Sequence, residues 1–282
     1  MQSFFKKLPR YSLRLLLAYL VYIFTGGVLA YLLPRQARNL PQTDSFYGIG
    51  RGPDRAVLVE EPQDAFARRV EVIRTAQSTL DVCYHCVKSG ETTECFFAEL
   101  LRAADRGVRV RVLLDGTVGG LSGARSNIAL ALRAHPNIEY RIYNPVDLLR
   151  PWEWNALLHD KFILADDRML LLGGRNIGDE YFAPPGYEGA VTYDRDVLVL
   201  NDLAGTPDSS ESVTAQAKIY MDALWDAPET DKFGTLSPSR RADGLAAQEY
   251  LKETAARWEA AAPSFYLPSE PASQCAVPTQ RV

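Results

Sequence analysis

The sequence predicts an α/β fold, a sheet flanked by helices, with one transmembrane helix at its N-terminus. Three observations predict it. Strand-like and helix-like segments alternate from residue 56 to residue 227. A run of about nineteen residues, 15–33, carries no charge and approaches the length that spans a bilayer core. Outside that run about 240 residues remain, enough for one substantial domain and a tail.

The N-terminal segment, 1–14, is basic, with Lys6, Lys7, Arg10 and Arg14. The anchor, 15–34, is punctuated by Tyr19, Tyr22, Phe24 and Tyr31 and ends at Pro34. Arg35 and Arg38 follow it. The heavier positive flank lies on the N-terminal side, which places that end in the cytoplasm and the following domain beyond an inner membrane, in the periplasm. The alternative is a secretory signal with Val28-Leu29-Ala30 as a poor cleavage site; the length of the run favours an uncleaved anchor. Residues 35–55 read as a linker.

The domain then unfolds in order along the chain. Residues 56–60 read as a strand and 62–77 as a helix opened by Pro62. A strand at 80–87 precedes a helix of good propensity at 92–106. Residues 108–114 alternate apolar and charged before Asp115-Gly116 turns. A helix at 124–134 leads to a strand at 138–143. Residues 157–165 and 168–172 form a hairpin, followed by a strand at 196–200 and a helix through Trp225. The segment 228–282 reads as a linker and tail with a single helix, and its last residues have loop-like composition. Trp152 and Trp154 precede the hairpin and read as rim, core or lipid contacts.

The hairpin holds the chemistry. His159, Lys161 and Asp166 form an H-x-K-x-x-x-x-D string in LHDKFILADDRMLLLGGRN. Strand side chains alternate with period two, so His159 and Lys161 share a face. A neutral imidazole can attack phosphorus and form a phosphohistidine, splitting one displacement into two. A neighbouring ammonium can neutralise a non-bridging phosphate oxygen as charge builds. Asp166, at the turn, holds Lys161 or the turn itself. Gly173 and Gly174 let backbone approach a ligand closely, and Asn176 adds an amide donor.

H-D-K-F-I-L-A-D followed by G-G-R-N-I-G-D-E-Y-F resembles the HKD motif of the phospholipase D superfamily, and more narrowly that of bacterial cardiolipin synthases. The resemblance runs upstream through LDVCYHCVKSG, AELLRAADRGVRVRVLLDG and HPNIEYRIYNP and downstream through YDRDVLVL and MDALWDA, covering 56–227. It implies a phospholipase D-like catalytic domain and phosphatidyl transfer or phosphodiester hydrolysis through a phosphohistidine, with no metal and no cofactor. His159, Lys161 and Asp166 form the implied catalytic set, with His159 the nucleophile. Lys161, Gly174 and Asn176 bind phosphate, and Asp196 in D-R-D orients the imidazole. A carboxylate accepting from one ring nitrogen would leave the other free to attack. The implied substrate is a phospholipid, phosphatidylglycerol, at a membrane.

Such relatives carry two motifs, and the second histidine protonates the departing alcohol. Only one occurs here. The other histidines, His85 and His135, lack a lysine two residues on and read as satisfied or exposed. The second motif therefore comes from a homodimer or a separate chain, or the protein is an inactive half. A dimeric nuclease or phosphodiesterase of the same superfamily is the alternative activity. A net charge of −4 and a pI near 5.5 weigh against a nucleic-acid partner. Cys83, Cys86 and Cys95 surround His85, but their strand positions oppose a shared zinc site, and a disulfide among the four cysteines is left open.

Overall fold

In a computed structural model, which describes residues 2–29, 32 and 50–281, nine strands form one mixed sheet. Helix α1 (Gln2–Phe24) opens the chain and continues into a short π-helical turn, Thr25–Leu29. Its stretch Tyr11–Leu29 is long and apolar enough to cross a membrane, and none of it is buried by the rest of the protein. The basic segment is thus the first part of the same helix as the anchor. Residues 30, 31, 33 and 34, and the expected linker up to residue 49, lie outside the described residues.

Strand β1 (Gly50–Val59) starts six residues before the expected 56. It pairs with two strands, which accounts for its length. Helix α2 (Pro62–Thr75) has Pro62 in its first turn and stops before the expected residue 77. The reason is Asp166. Its carboxylate accepts the backbone N–H groups of Gln77 (2.9 Å), Ser78 (2.9 Å) and Thr79 (2.8 Å), so these donors are taken outside any helix.

Strands β2 (Thr79–Tyr84), β3 (Arg109–Asp115) and β4 (Ile138–Tyr143) lie parallel. They are joined by helices α3 (Glu91–Asp105) and α4 (Ser126–Ala134). Strands β5 (Lys161–Ala165), β6 (Met169–Gly173) and β7 (Asp196–Asn201) run as an antiparallel meander from the other side of β2 back to β1. A one-turn helix, α5 (Asp179–Phe182), lies between β6 and β7.

The alternation of side chains sorts the core. Ile163 and Ala165 face one layer with Phe66, Phe96 and Leu100 from α2 and α3. Phe162 and Leu164 face the other with Met221 and Trp225 of α6 (Val213–Trp225).

The C-terminal segment is not a linker. Strand β8 (Thr230–Lys232) extends the sheet beside β4. Helix α7 (Pro238–Ala261) packs across α3 and α4. Gly244 permits the close crossing, since a Cβ there would stand 2.6 Å from the Leu130 carbonyl oxygen. Short helices α8 (Pro263–Tyr266) and α9 (Ala272–Cys275) then place Phe265 and Tyr266 in the main core. Strand β9 (Val277–Arg281) closes the sheet on β1. The loop-like composition of this segment hides those pairings, because the partner strands lie about ninety residues away for β8 and more than two hundred for β9.

One buried cluster ties these layers together. Asp196, fully buried, accepts from Arg69 (3.0 Å) and Arg175 (3.1 Å), themselves almost fully buried. Replacing Asp196 by Asn should lower unfolding stability by about 3–5 kcal/mol, because two buried guanidiniums lose their counter-charge. The exposed Asp194→Asn change should stay within roughly 0.5 kcal/mol. Denaturant unfolding of both variants checks the contrast.

Candidate active site

The site forms where β5 begins and β6 ends. His159 precedes β5 instead of lying in it, because the backbone around it is bonded elsewhere. The Leu158 N–H donates to the Asp115 carboxylate (2.9 Å), and the Leu158 carbonyl meets His85 Nδ1 at 2.8 Å. The His159 ring is left exposed at the surface, while Lys161 is buried to 6 % exposure. Lys161 Nζ stands 3.0 Å from His159 Nδ1 and 3.2 Å from Nε2, and donates to the His159 carbonyl at 2.7 Å. The cation and the imidazole are therefore brought together.

Asn176 lies in the loop after β6 and is tied to the segment that follows β2. Its Oδ1 accepts the Cys86 N–H (3.0 Å), which turns its amide nitrogen toward Tyr181 Oη at 3.2 Å. Gly173 and Gly174 exist for close approach. A Cβ on Gly173 would meet Asp196 Oδ1 at 2.1 Å, and one on Gly174 would meet Asp194 Oδ1 at 2.1 Å. The D-R-D segment thus lies directly on the glycine pair.

Two expected residues lie elsewhere. Asp166 sits at the far end of β5, roughly 16 Å from Lys161 along an extended strand. Its backbone is in the left-handed region (φ 51°), and its carboxylate binds the turn at 77–79, not Lys161. Asp196 points inward to Arg69 and Arg175 and makes no hydrogen bond to His159. Burial opposes charge on Arg69, but Asp196 and Tyr84 more than offset it and hold the guanidinium above its usual pKa. Asp196 therefore braces the fold behind the site. The exposed carboxylate at the site is Asp194, two residues earlier, whose charge acts on Lys161.

His85 was the feature least visible in the sequence. Its ring lies 4.4 Å from that of His159, tilted by 50°. Because a carbonyl only accepts, the contact with Leu158 assigns the proton to His85 Nδ1. The buried Asp115 carboxylate stands 3.9 Å behind it. No spacing rule connects residues 85 and 159, and the close approach of Gly119, whose Cβ would stand 2.6 Å from the His85 carbonyl oxygen, is long-range as well. His135, by contrast, is satisfied by Asp105 and the Asn137 N–H. All four cysteines are free; Cys83 is buried in the apolar layer under α6, while Cys86 lies beyond the strand.

The electrostatics favour a neutral imidazole at His159. Loss of hydration, then the Lys161 charge, then His85 lower the His159 pKa below its ordinary value. Lys161 is also lowered, by desolvation, against the opposing pull of Asp160 and Asp194. A depressed imidazole pKa means that the neutral form is already dominant at a pH where an ordinary histidine is still charged, and acidification removes it. Proton-coupled NMR titration should therefore place His159 below 6.5, the ordinary value. Lys161→Met and His85→Phe should each move it upward.

Residues 70–199 match the family model described as cardiolipin synthase, PLD-like domain. Cardiolipin synthase C of Escherichia coli K12 is 39% identical over 152 residues, covering 50% of this chain and 31% of that protein. A cardiolipin synthase of Geobacillus thermodenitrificans is 29% identical over 164 residues, covering 56% and 32%. The chain thus spans about a third of the length of these curated relatives. Among solved structures, NucT from Helicobacter pylori superposes with a TM-score of 0.49 at 15% identity, covering 64% of this chain and 99% of that one.

Proposed function

We propose, from the premise that this chain belongs to the phospholipase D superfamily and is cardiolipin synthase-like, that it transfers a phosphatidyl group between headgroup alcohols. The donor is a phospholipid, phosphatidylglycerol in the simplest case. The observation that carries the reading is the Lys161 ammonium 3.0 Å from the His159 imidazole.

A neutral His159 nitrogen attacks phosphorus, and the P–O bond to the departing alcohol breaks while that oxygen takes up a proton. The acceptor alcohol then attacks from the same side, gives up its proton and breaks the P–N bond. Lys161 and Asn176 offset charge on the non-bridging oxygens, while the Gly174 N–H is donated to the Arg195 carbonyl (3.0 Å) and holds the turn. Asp194 acts on Lys161, while the carboxylates whose charge reaches the imidazole are Asp160 and Asp115. Asp166 acts on the turn and through it on the start of β2.

His85 does not supply the leaving-group proton. In-line transfer needs about 3 Å from nucleophile to phosphorus and about 3 Å more from leaving oxygen to donor, roughly 6 Å in all. His85, whose ring centroid lies 4.4 Å from that of His159 and whose Nδ1 proton is donated to the Leu158 carbonyl, packs beside the nucleophile and not across a phosphorus from it. The proton donor is therefore the His159 of a second copy, or an equivalent histidine of another chain, facing the site across a twofold.

The membrane setting agrees with this reading. Tyr19 and Tyr22 of α1 donate to the carbonyls of Leu148 (3.0 Å) and Leu149 (2.5 Å), and Tyr22 lies edge-on to Trp152. Val146, Leu148, Leu149 and Trp152 are exposed just before His159. The apolar lip faces the bilayer that α1 enters, with the N-terminus cytoplasmic and the domain periplasmic at the inner membrane.

Expression in cells that lack cardiolipin should restore it, and His159→Ala should abolish restoration. Absence of cardiolipin from both would sink the synthase reading, and cleavage of DNA by the purified chain would favour the nuclease alternative. On dilution, specific activity should fall as the dimer dissociates; an undiminished rate from a strict monomer would contradict the second-copy donor.

A further inference from the structure

A cavity of about 890 Å³ lies beside the site, in a part of the chain that the reaction above does not use. It shares the segment after β2 with the site: the Cys86 N–H holds Asn176, the Lys88 N–H donates to the Ile177 carbonyl (2.8 Å), and both residues line the cavity. Its charge is one-sided. Lys88, Arg125, Arg133 and Arg240 line it, and no Asp or Glu does. Lys88 is paired outward with Glu180. Arg133 lies over the Phe233 ring and donates to the Gly234 carbonyl. The side chains of Arg125 and Arg240 have no hydrogen-bond or ion-pair partner among the described residues. Burial and then the neighbouring Arg240 charge lower the Arg133 pKa. Cations left facing one another in a cavity with an apolar wall, here Leu121 and Phe233, are complementary to an anion carrying an apolar body.

We propose that this cavity binds a second anionic phospholipid, its phosphate between Arg125 and Arg240 and the first carbons of its glycerol and acyl groups against Leu121 and Phe233. The inference rests on the phosphatidyl-transfer reading for its meaning. The bound lipid would wait one strand-end from His159, the place for an acceptor whose headgroup alcohol enters after the first alcohol leaves.

The test counts bound lipid and needs no turnover. The full chain carrying His159→Ala, in neutral detergent, is titrated calorimetrically with dihexanoylphosphatidylglycerol and separately with inorganic phosphate. Two lipids per chain are expected. Adding Arg125→Gln and Arg240→Gln should leave one, or weaken the second by about tenfold, as loss of two partly exposed charge pairs implies. Gly120→Glu provides an independent variant, since a Cβ there meets nothing within 4 Å and the new carboxylate would enter the cavity. It too should remove one lipid. An unchanged count of two in both variants overturns the proposal. Inorganic phosphate binding as tightly as the lipid overturns the assignment to a phospholipid. Failure of cardiolipin formation with the two-lipid count intact would count against the transfer reading and leave the cavity assignment standing.

Discussion

The buried carboxylate of Asp196 is the point on which the rest of the structure hangs. It receives Arg69 from α2 and Arg175 from the loop after β6. Arg69 also bonds the Ala65 carbonyl and Tyr84 Oη, and Arg175 bonds the carbonyls of Val59 and Glu60. Five elements, β1, α2, β2, β6 and β7, are thereby fixed to one another. Such a cluster costs desolvation, and its value lies less in net stability than in leaving few alternative packings for charges that must be paired. Gly173 lies against Asp196, so the glycine pair and Asn176 inherit their positions from it.

Upon that frame the site is built from unequal burial. Lys161 is sunk into the sheet edge, where desolvation makes it less willing to stay charged, and His159 stands above it in solvent. Loss of hydration, and then the Lys161 charge, suppress protonation of the imidazole. An approaching phosphate diester would reverse that penalty by supplying the anion that Lys161 lacks, which is the sense in which such a site favours charge developing on substrate. The exposed Asp194 acts on the buried Lys161 through its charge.

Much of this was legible beforehand, and the limits have physical causes. The parallel strands β2 to β4 and the β5–β6 hairpin follow from local apolar runs and turn residues, which act over a few positions. His159 and Lys161 are two residues apart, so their juxtaposition is local too. Asp194 and Asp196 lie in one short string, and sequence cannot tell which turns inward; two arginines, from residues 69 and 175, decide it. The contact of His85 with His159 depends on β2 ending at Tyr84 and on the Leu158 carbonyl, a pairing across 73 residues. Strands β8 and β9 carry no local signal, because short polar strands acquire their state from the edges they complete.

The central claim is that His159 carries the phosphatidyl group. It is tested most directly by incubating the full chain in vesicles with short-chain phosphatidylglycerol, quenching in alkali to preserve the P–N bond, and mapping adducts by mass spectrometry. The account predicts a phosphatidyl adduct on His159 that disappears in His159→Asn. An unmodified His159 while phosphatidylglycerol is consumed, or an adduct that survives the substitution, would contradict it.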